Sequence, residues 1–178
     1  MIIYGKNTVV EAIRNKRTIS KMIVVEGLKD QNFLKLLKDN RIKYETLPQN
    51  VIIKRYGDKT GGIVAETSEY KYASLDEVLR KTSKKPDGGV LMLLDGLEDP
   101  HNLGAILRSA DATGIDGIII PKNRSVSLNQ TVAKVSTGAI EYVDVIQVTN
   151  LTQTIQELKK QGYWVVGLEI DGSIYYDE

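Results

Sequence analysis

The stretch LLDGLEDPHNLGAILRSADATG, from Leu93 to Gly114, decides how the chain is read. Its first half closes an apolar run, Val90 to Leu94, that suits a parallel strand covered on both faces. Its second half is helical in period. Leu103, Ile106, Leu107 and Ala110 fall on one face, with Asn102 placed to cap the start and Gly114 to end the helix. Arg108 lies roughly 150° from the centre of that apolar stripe and so points away from the packing face. The intervening loop, Asp95 to His101, sits at the carboxyl end of a strand, where open α/β sheets place their ligands.

The same alternation continues downstream. Gly117 to Ile120 reads as a strand, Leu128 to Ser136 as a helix, and Val143 to Val148 as a strand. Asn150 can cap a helix running to Lys160, and Tyr163 to Leu168 reads as one more strand. A βαβαβαβ order implies a parallel sheet. Upstream, Thr8 to Arg14, Asp30 to Asn40 and Gln49 to Tyr56 read as helices. Met22 to Val25, Tyr44 to Leu47 and Ile63 to Glu66 read as strands. Between these blocks Ser74 stands three residues before Glu77, a capping-box spacing, and SKKPDGG follows as a breaker. The expected organisation is a small α/β unit over 1–69, a linker with a short helix over 70–89, and a parallel α/β unit over 90–178.

Composition narrows the chemistry. The 178 residues are 42% hydrophobic and 26% charged, as in a globular protein, and no apolar run approaches a membrane span. There is no cysteine and one histidine, His101, so thiolate chemistry is excluded and no metal is expected. No signal peptide opens the chain, and a cytoplasmic location without membrane partners is expected. Net charge is only +1, yet the stretch from Lys6 to Lys59 holds Arg14, Lys16, Arg17, Lys21, Lys35, Lys38, Arg41, Lys43, Lys54 and Arg55. Such residues form either a phosphate-binding face or a solvated surface. The loop before Asn102 lacks the glycine spacing of a dinucleotide site or a P-loop. Chemistry alone therefore leaves a cleft with an asparagine and an arginine, each of which can equally be a helix cap or a solvated side chain.

The chain resembles the SpoU/TrmH-type RNA 2′-O-ribose methyltransferases of the knotted SPOUT class. The resemblance rests on LLDGLEDPHNLGAILRSADATGIDGIIIP followed by SVSLNQTVAKVSTGAIEYVDV. YGKNTVVEAI near the start and GGIVAE at Gly61 to Glu66 resemble the family's N-terminal, L30e-like substrate-binding domain. Thr60 and Gly61 stand where that family often has histidine and glutamine. The resemblance implies transfer of a methyl group from S-adenosylmethionine to a ribose 2′-hydroxyl, on a guanosine of large-subunit ribosomal RNA. It implies Asn102 and Arg108 as catalytic residues, with the arginine orienting the hydroxyl and stabilising developing charge; an arginine is already protonated at neutral pH and so is not a ready proton acceptor. Arg14, Lys16, Arg17 and Lys59 are the expected RNA contacts, and Gly167 and Leu168 are expected to border the cofactor. A non-catalytic RNA-binding module built on the L30e-like domain is the alternative.

Two further family motifs, a glycine–glutamate–glycine loop and a serine–leucine–asparagine helix start, do not occur before Glu178. They would complete the trefoil knot and the cofactor pocket. The expectation is therefore a parallel domain cut short before the knot, part of a longer homodimeric protein, inactive and weakly cofactor-binding by itself.

Overall fold

The computed structural model describes residues 1–168. The last ten residues of the expected 90–178 unit lie outside the described residues. Two sheets carry the chain, one from each half of the sequence.

The first sheet comprises β1 (Ile2–Tyr4), β2 (Ile19–Val25), β3 (Glu45–Leu47) and β4 (Ile63–Thr67), in the order β1-β4-β2-β3. β4 lies antiparallel to both β1 and β2, whereas β3 is parallel to β2. Alternate residues of each strand face opposite layers. Met22, Val24 and Ala65 pack under α1 (Lys6–Arg14) and α2 (Gln31–Asp39), and Ile23 and Val64 pack under Ile52 of α3 (Gln49–Tyr56). β1 is absent from the sequence reading because three residues, Ile-Ile-Tyr, carry no period of their own. The other elements of this half fall within a few residues of their expected bounds, and Asp30 caps α2 by accepting from the Phe33 amide at 3.1 Å.

The second sheet is parallel, as the alternation predicts. It runs β5 (Leu91–Leu93), β6 (Gly117–Pro121), β7 (Val145–Val148) in sequential order. Ile118, Ile120 and Val145 face α5 (Pro100–Thr113) and α6 (Gln130–Val135). Ile119 and Ile146 face the opposite layer, where α4 (Leu75–Thr82) supplies Val78 and α7 (Leu151–Lys160) supplies Leu158. The reciprocal capping box at Ser74 and Glu77 forms as its spacing requires. It holds the Glu77 carboxyl below its ordinary value, chiefly through the Ser74 backbone amide.

The stretch expected to link the halves packs against the second half at several points. Ala73 bridges to Ile146, the Tyr72 hydroxyl accepts from the Leu128 amide at 2.9 Å, and α4 covers the second sheet. One apolar cluster runs unbroken from Phe33 under the first sheet to Val145 in the second. The expected strand over Tyr163 to Leu168 is not formed. Tyr163 is anchored to Thr82 at 2.6 Å, but Trp164 is 96% and Leu168 88% exposed. A strand exists only when an edge accepts its backbone hydrogen bonds, and this segment is laid against neither sheet. No helix among the described residues is long and apolar enough to cross a membrane.

Candidate active site and RNA-facing surfaces

α5 begins earlier than its period suggests. Asp99 is the cap, accepting from the His101 amide at 2.8 Å, and Pro100 occupies the first turn. Proline is favoured there because the missing N–H would have had no intrahelical partner and its fixed φ is already helical. Asn102, expected as the cap, therefore lies inside the first turn, exposed, with its side chain released from capping. At the other end Gly114 takes the left-handed conformation (φ 73°), as expected of a helix terminator.

The buried side of α5 carries Leu103, Leu107 and Ala110. Between them Gly104 lets α6 approach until a Cβ at this position would stand 2.6 Å from the Val135 Cβ. Arg108 emerges on the outer side, exposed, as the helical projection predicts. It lines a cleft of about 350 Å³ with Glu11 of α1, Asp111, the Ser136–Ala139 turn and Tyr142. This cleft lies between the two halves of the chain, away from the Asp95–His101 loop where the sheet topology had pointed.

The cleft's polar groups are unequally engaged. Both Glu11 carboxylate oxygens are occupied, one by Arg14 at 2.8 Å and one by the Tyr142 hydroxyl at 2.5 Å. That hydrogen bond, with a smaller contribution from burial, raises the Tyr142 hydroxyl above its ordinary value. Among the described residues Arg108 has no ion pair, although Glu11 and Asp111 share its cleft. Asn102 and Arg108 are six residues apart on one helix, about 9 Å along its axis. Tyr142, Glu11 and Thr137 were not singled out from the sequence; the STG turn preceding Tyr142 was the available signal. No group of three or more potential metal-ligating side chains occurs among the described residues.

The four expected RNA contacts separate. Arg17 is not at a free surface. Its guanidinium pairs with Glu141 at 2.8 Å, donates to the Thr67 hydroxyl at 2.7 Å and to the Ser68 carbonyl, and stacks 3.8 Å over the Tyr70 ring. The Arg17 and Glu141 side chains are only 10% and 4% exposed, and the Tyr70 hydroxyl also donates to Glu141 at 2.9 Å. Burial first, and then the Glu141 carboxylate, push the Tyr70 hydroxyl well above its ordinary range. This cluster bolts the first half of the chain to the second. Arg14 and Lys16 remain exposed at the end of α1. Lys59 lies in a 3-10 turn before β4. That turn leads to Gly62, whose carbonyl accepts from Val25 at the far end of β2, about 20 Å from the end that Lys16 precedes. Gly167 and Leu168 stand exposed outside the Arg108 cleft, and among the described residues nothing lies within 4 Å of a Cβ placed on Gly167.

Comparison with known proteins supplies what geometry does not. Residues 2–73 match the family model for RNA 2′-O ribose methyltransferase substrate binding, and residues 89–178 match the SpoU rRNA methylase family. A relative from Staphylococcus aureus (strain MSSA476), assigned to the TrmH family of tRNA/rRNA methyltransferases, is 48% identical over 98% of this chain and 72% of its own length. A Staphylococcus epidermidis relative with the same assignment is 45% identical over 99% of this chain and 72% of its own. Among solved structures, the SpoU methyltransferase AviRb from Streptomyces viridochromogenes, in complex with the cofactor AdoMet, superposes with a TM-score of 0.71 at 18% identity. An AdoMet-bound rRNA methyltransferase from Sinorhizobium meliloti gives 0.66 at 20% identity. This chain spans 59% and 57% of those two structures, and at such identities they show the fold alone. Both halves of the sequence and the curated relatives agree: the chain belongs to the SpoU/TrmH family of RNA methyltransferases.

Proposed function

We infer that this protein transfers a methyl group from S-adenosylmethionine to a ribose 2′-hydroxyl of RNA, on a guanosine of large-subunit ribosomal RNA. Residues 1–69 present the RNA and residues 90–178 carry the reaction, the enzyme working as a cytoplasmic homodimer. The observation that carries this reading is Arg108. It stands on the family's motif helix, exposed and free of ion pairs among the described residues, in a cleft walled by α1 of the substrate-binding half.

A ribose hydroxyl entering that cleft meets a fork of guanidinium donors. They orient it, or an adjacent phosphate, and stabilise the negative charge that develops on its oxygen. An arginine stays protonated, so its role is orientation and electrostatic stabilisation rather than proton abstraction. Asn102, released from capping, is free to hold the ribose. S-adenosylmethionine would supply the methyl group and leave as the uncharged thioether, with the hydroxyl proton passing to solvent water. Gly167 and Leu168, the positions read as cofactor-facing, are open to solvent and do not by themselves form a pocket, so no step is assigned to them.

Methyl-labelled cofactor, ribosomal RNA and the intact enzyme test the reading. A 2′-O-methyl group blocks alkaline cleavage of the following phosphodiester. Label recovered in an alkali-resistant dinucleotide beginning with guanosine is the expected result. Label confined to a base would overturn the ribose assignment.

A further inference from the structure

α1 and α2 end in the same way. Each is closed by an asparagine, Asn15 or Asn40, whose side-chain amide donates back to a carbonyl four residues earlier, Glu11 or Leu36. Each asparagine is followed by a cation in the left-handed conformation, Lys16 at φ 56° and Arg41 at φ 54°. Glycine is the residue that position ordinarily selects, since a Cβ is disfavoured there. The two ends meet at one groove of about 450 Å³, completed by Lys43, Ser20 and an apolar floor that includes Ile13 and Ile42. Lys16, Arg41 and Lys43 are exposed, and none is ion-paired among the described residues. Among the described residues no carboxylate lines the groove.

Cations favour helix C-termini through the helix dipole, but any position in the last turn serves that purpose without a left-handed backbone. Convergence of three free cations on one carboxylate-free concavity calls for an anionic ligand with several charges in a row. We propose that this groove binds consecutive backbone phosphates of the RNA substrate, as a contact separate from the Arg108 cleft. α1 joins the two sites, since Glu11 walls the cleft and Lys16 follows at the end of the same helix. Arg17 contributes only to the groove's wall, because its guanidinium is held by Glu141. The inference rests on the reading of this protein as an RNA enzyme.

The test is equilibrium binding of the chain to a labelled ribosomal RNA fragment between 50 and 200 mM salt. It compares wild type with the Lys16→Gly/Arg41→Gly/Lys43→Ser variant. Each lost phosphate contact flattens the plot of log affinity against log salt by about 0.7 to 0.9, so the triple variant should lose about 2 to 2.7 in slope and about tenfold or more in affinity. Its melting temperature should hold or rise, because glycine relieves both left-handed positions. A Lys35→Ser/Lys38→Ser variant removes two exposed α2 cations that do not line the groove and should bind as wild type does. Wild-type affinity and slope in the triple variant would overturn the groove alone, as would an equal loss in the α2 control. Absence of RNA binding by the wild-type chain would sink both this inference and the functional reading beneath it.

Discussion

Arg17 and Arg108 are the same side chain in two opposite situations. Arg17 is nine-tenths buried, paired, stacked and hydrogen-bonded through both terminal nitrogens, each time to a group of the protein itself. Arg108 stands exposed in a cleft where the neighbouring Glu11 is already engaged by Arg14 and Tyr142. The first arrangement fixes how the two halves meet. The second leaves five donors available to something that is not protein. A cation's role is read from what it lacks as much as from its charge.

The contrast is most severely challenged at the junction. Glu141→Gln leaves the Arg17 charge buried without its counter-ion, and breaking such a pair costs about 3 to 5 kcal/mol. Thermal melting should fall by roughly 2 to 4 °C for each kcal/mol. Replacing both partners by apolar residues, Arg17→Met with Glu141→Leu, should recover much of that loss. A double variant as unstable as the single would mean that the wider network, not the pair, holds the halves together. Gly104→Ala comes next, at about 1 to 3 kcal/mol, because the new methyl group must displace Val135 and push α5 off α6. It should also disturb the Arg108 cleft and so lower activity at temperatures where the variant is fully folded.

Smaller effects separate cap from site on α5. Asp99→Ala removes the observed cap and should cost about 1 kcal/mol in a denaturant melt, whereas Asn102→Ala should stay within about 0.5 kcal/mol. Equal stability losses would contradict the capping assignment. The finest probe is pH. The Tyr70 hydroxyl is raised above its ordinary 10.0 by burial first and then by Glu141, so the folded chain keeps a proton that the unfolded chain releases. Its contribution is intact below that value and is lost as pH rises through the folded-state titration. In alkaline melts Tyr70→Phe should therefore lose less stability with pH than wild type does.

Much of this was legible in the sequence because it is local. The parallel order of β5 to β7, the capping box at Ser74 and the outward aim of Arg108 follow from spacing within a few residues. What was missed depends on long-range partners. The cap moved to Asp99 because two adequate cap residues lie three apart, and Pro100 decides between them. Nothing near Arg17 announces Glu141, so its withdrawal from the exposed surface could not be read locally. The segment from Tyr163 to Leu168 has the apolar content of a strand, yet among the described residues it pairs with neither sheet. The cleft, likewise, is made by Glu11 and Tyr142, brought together only by the packing of α1 against the turn after α6.

The account turns on Arg108 being free for chemistry rather than for folding. Single-turnover methyl transfer to RNA by the intact enzyme carrying Arg108→Ala, measured where its melting curve overlays wild type, tests that directly. Loss of one preorganised electrostatic group predicts a rate about 10² to 10³ lower. A wild-type rate would contradict the account and return Arg108 to the solvated surface.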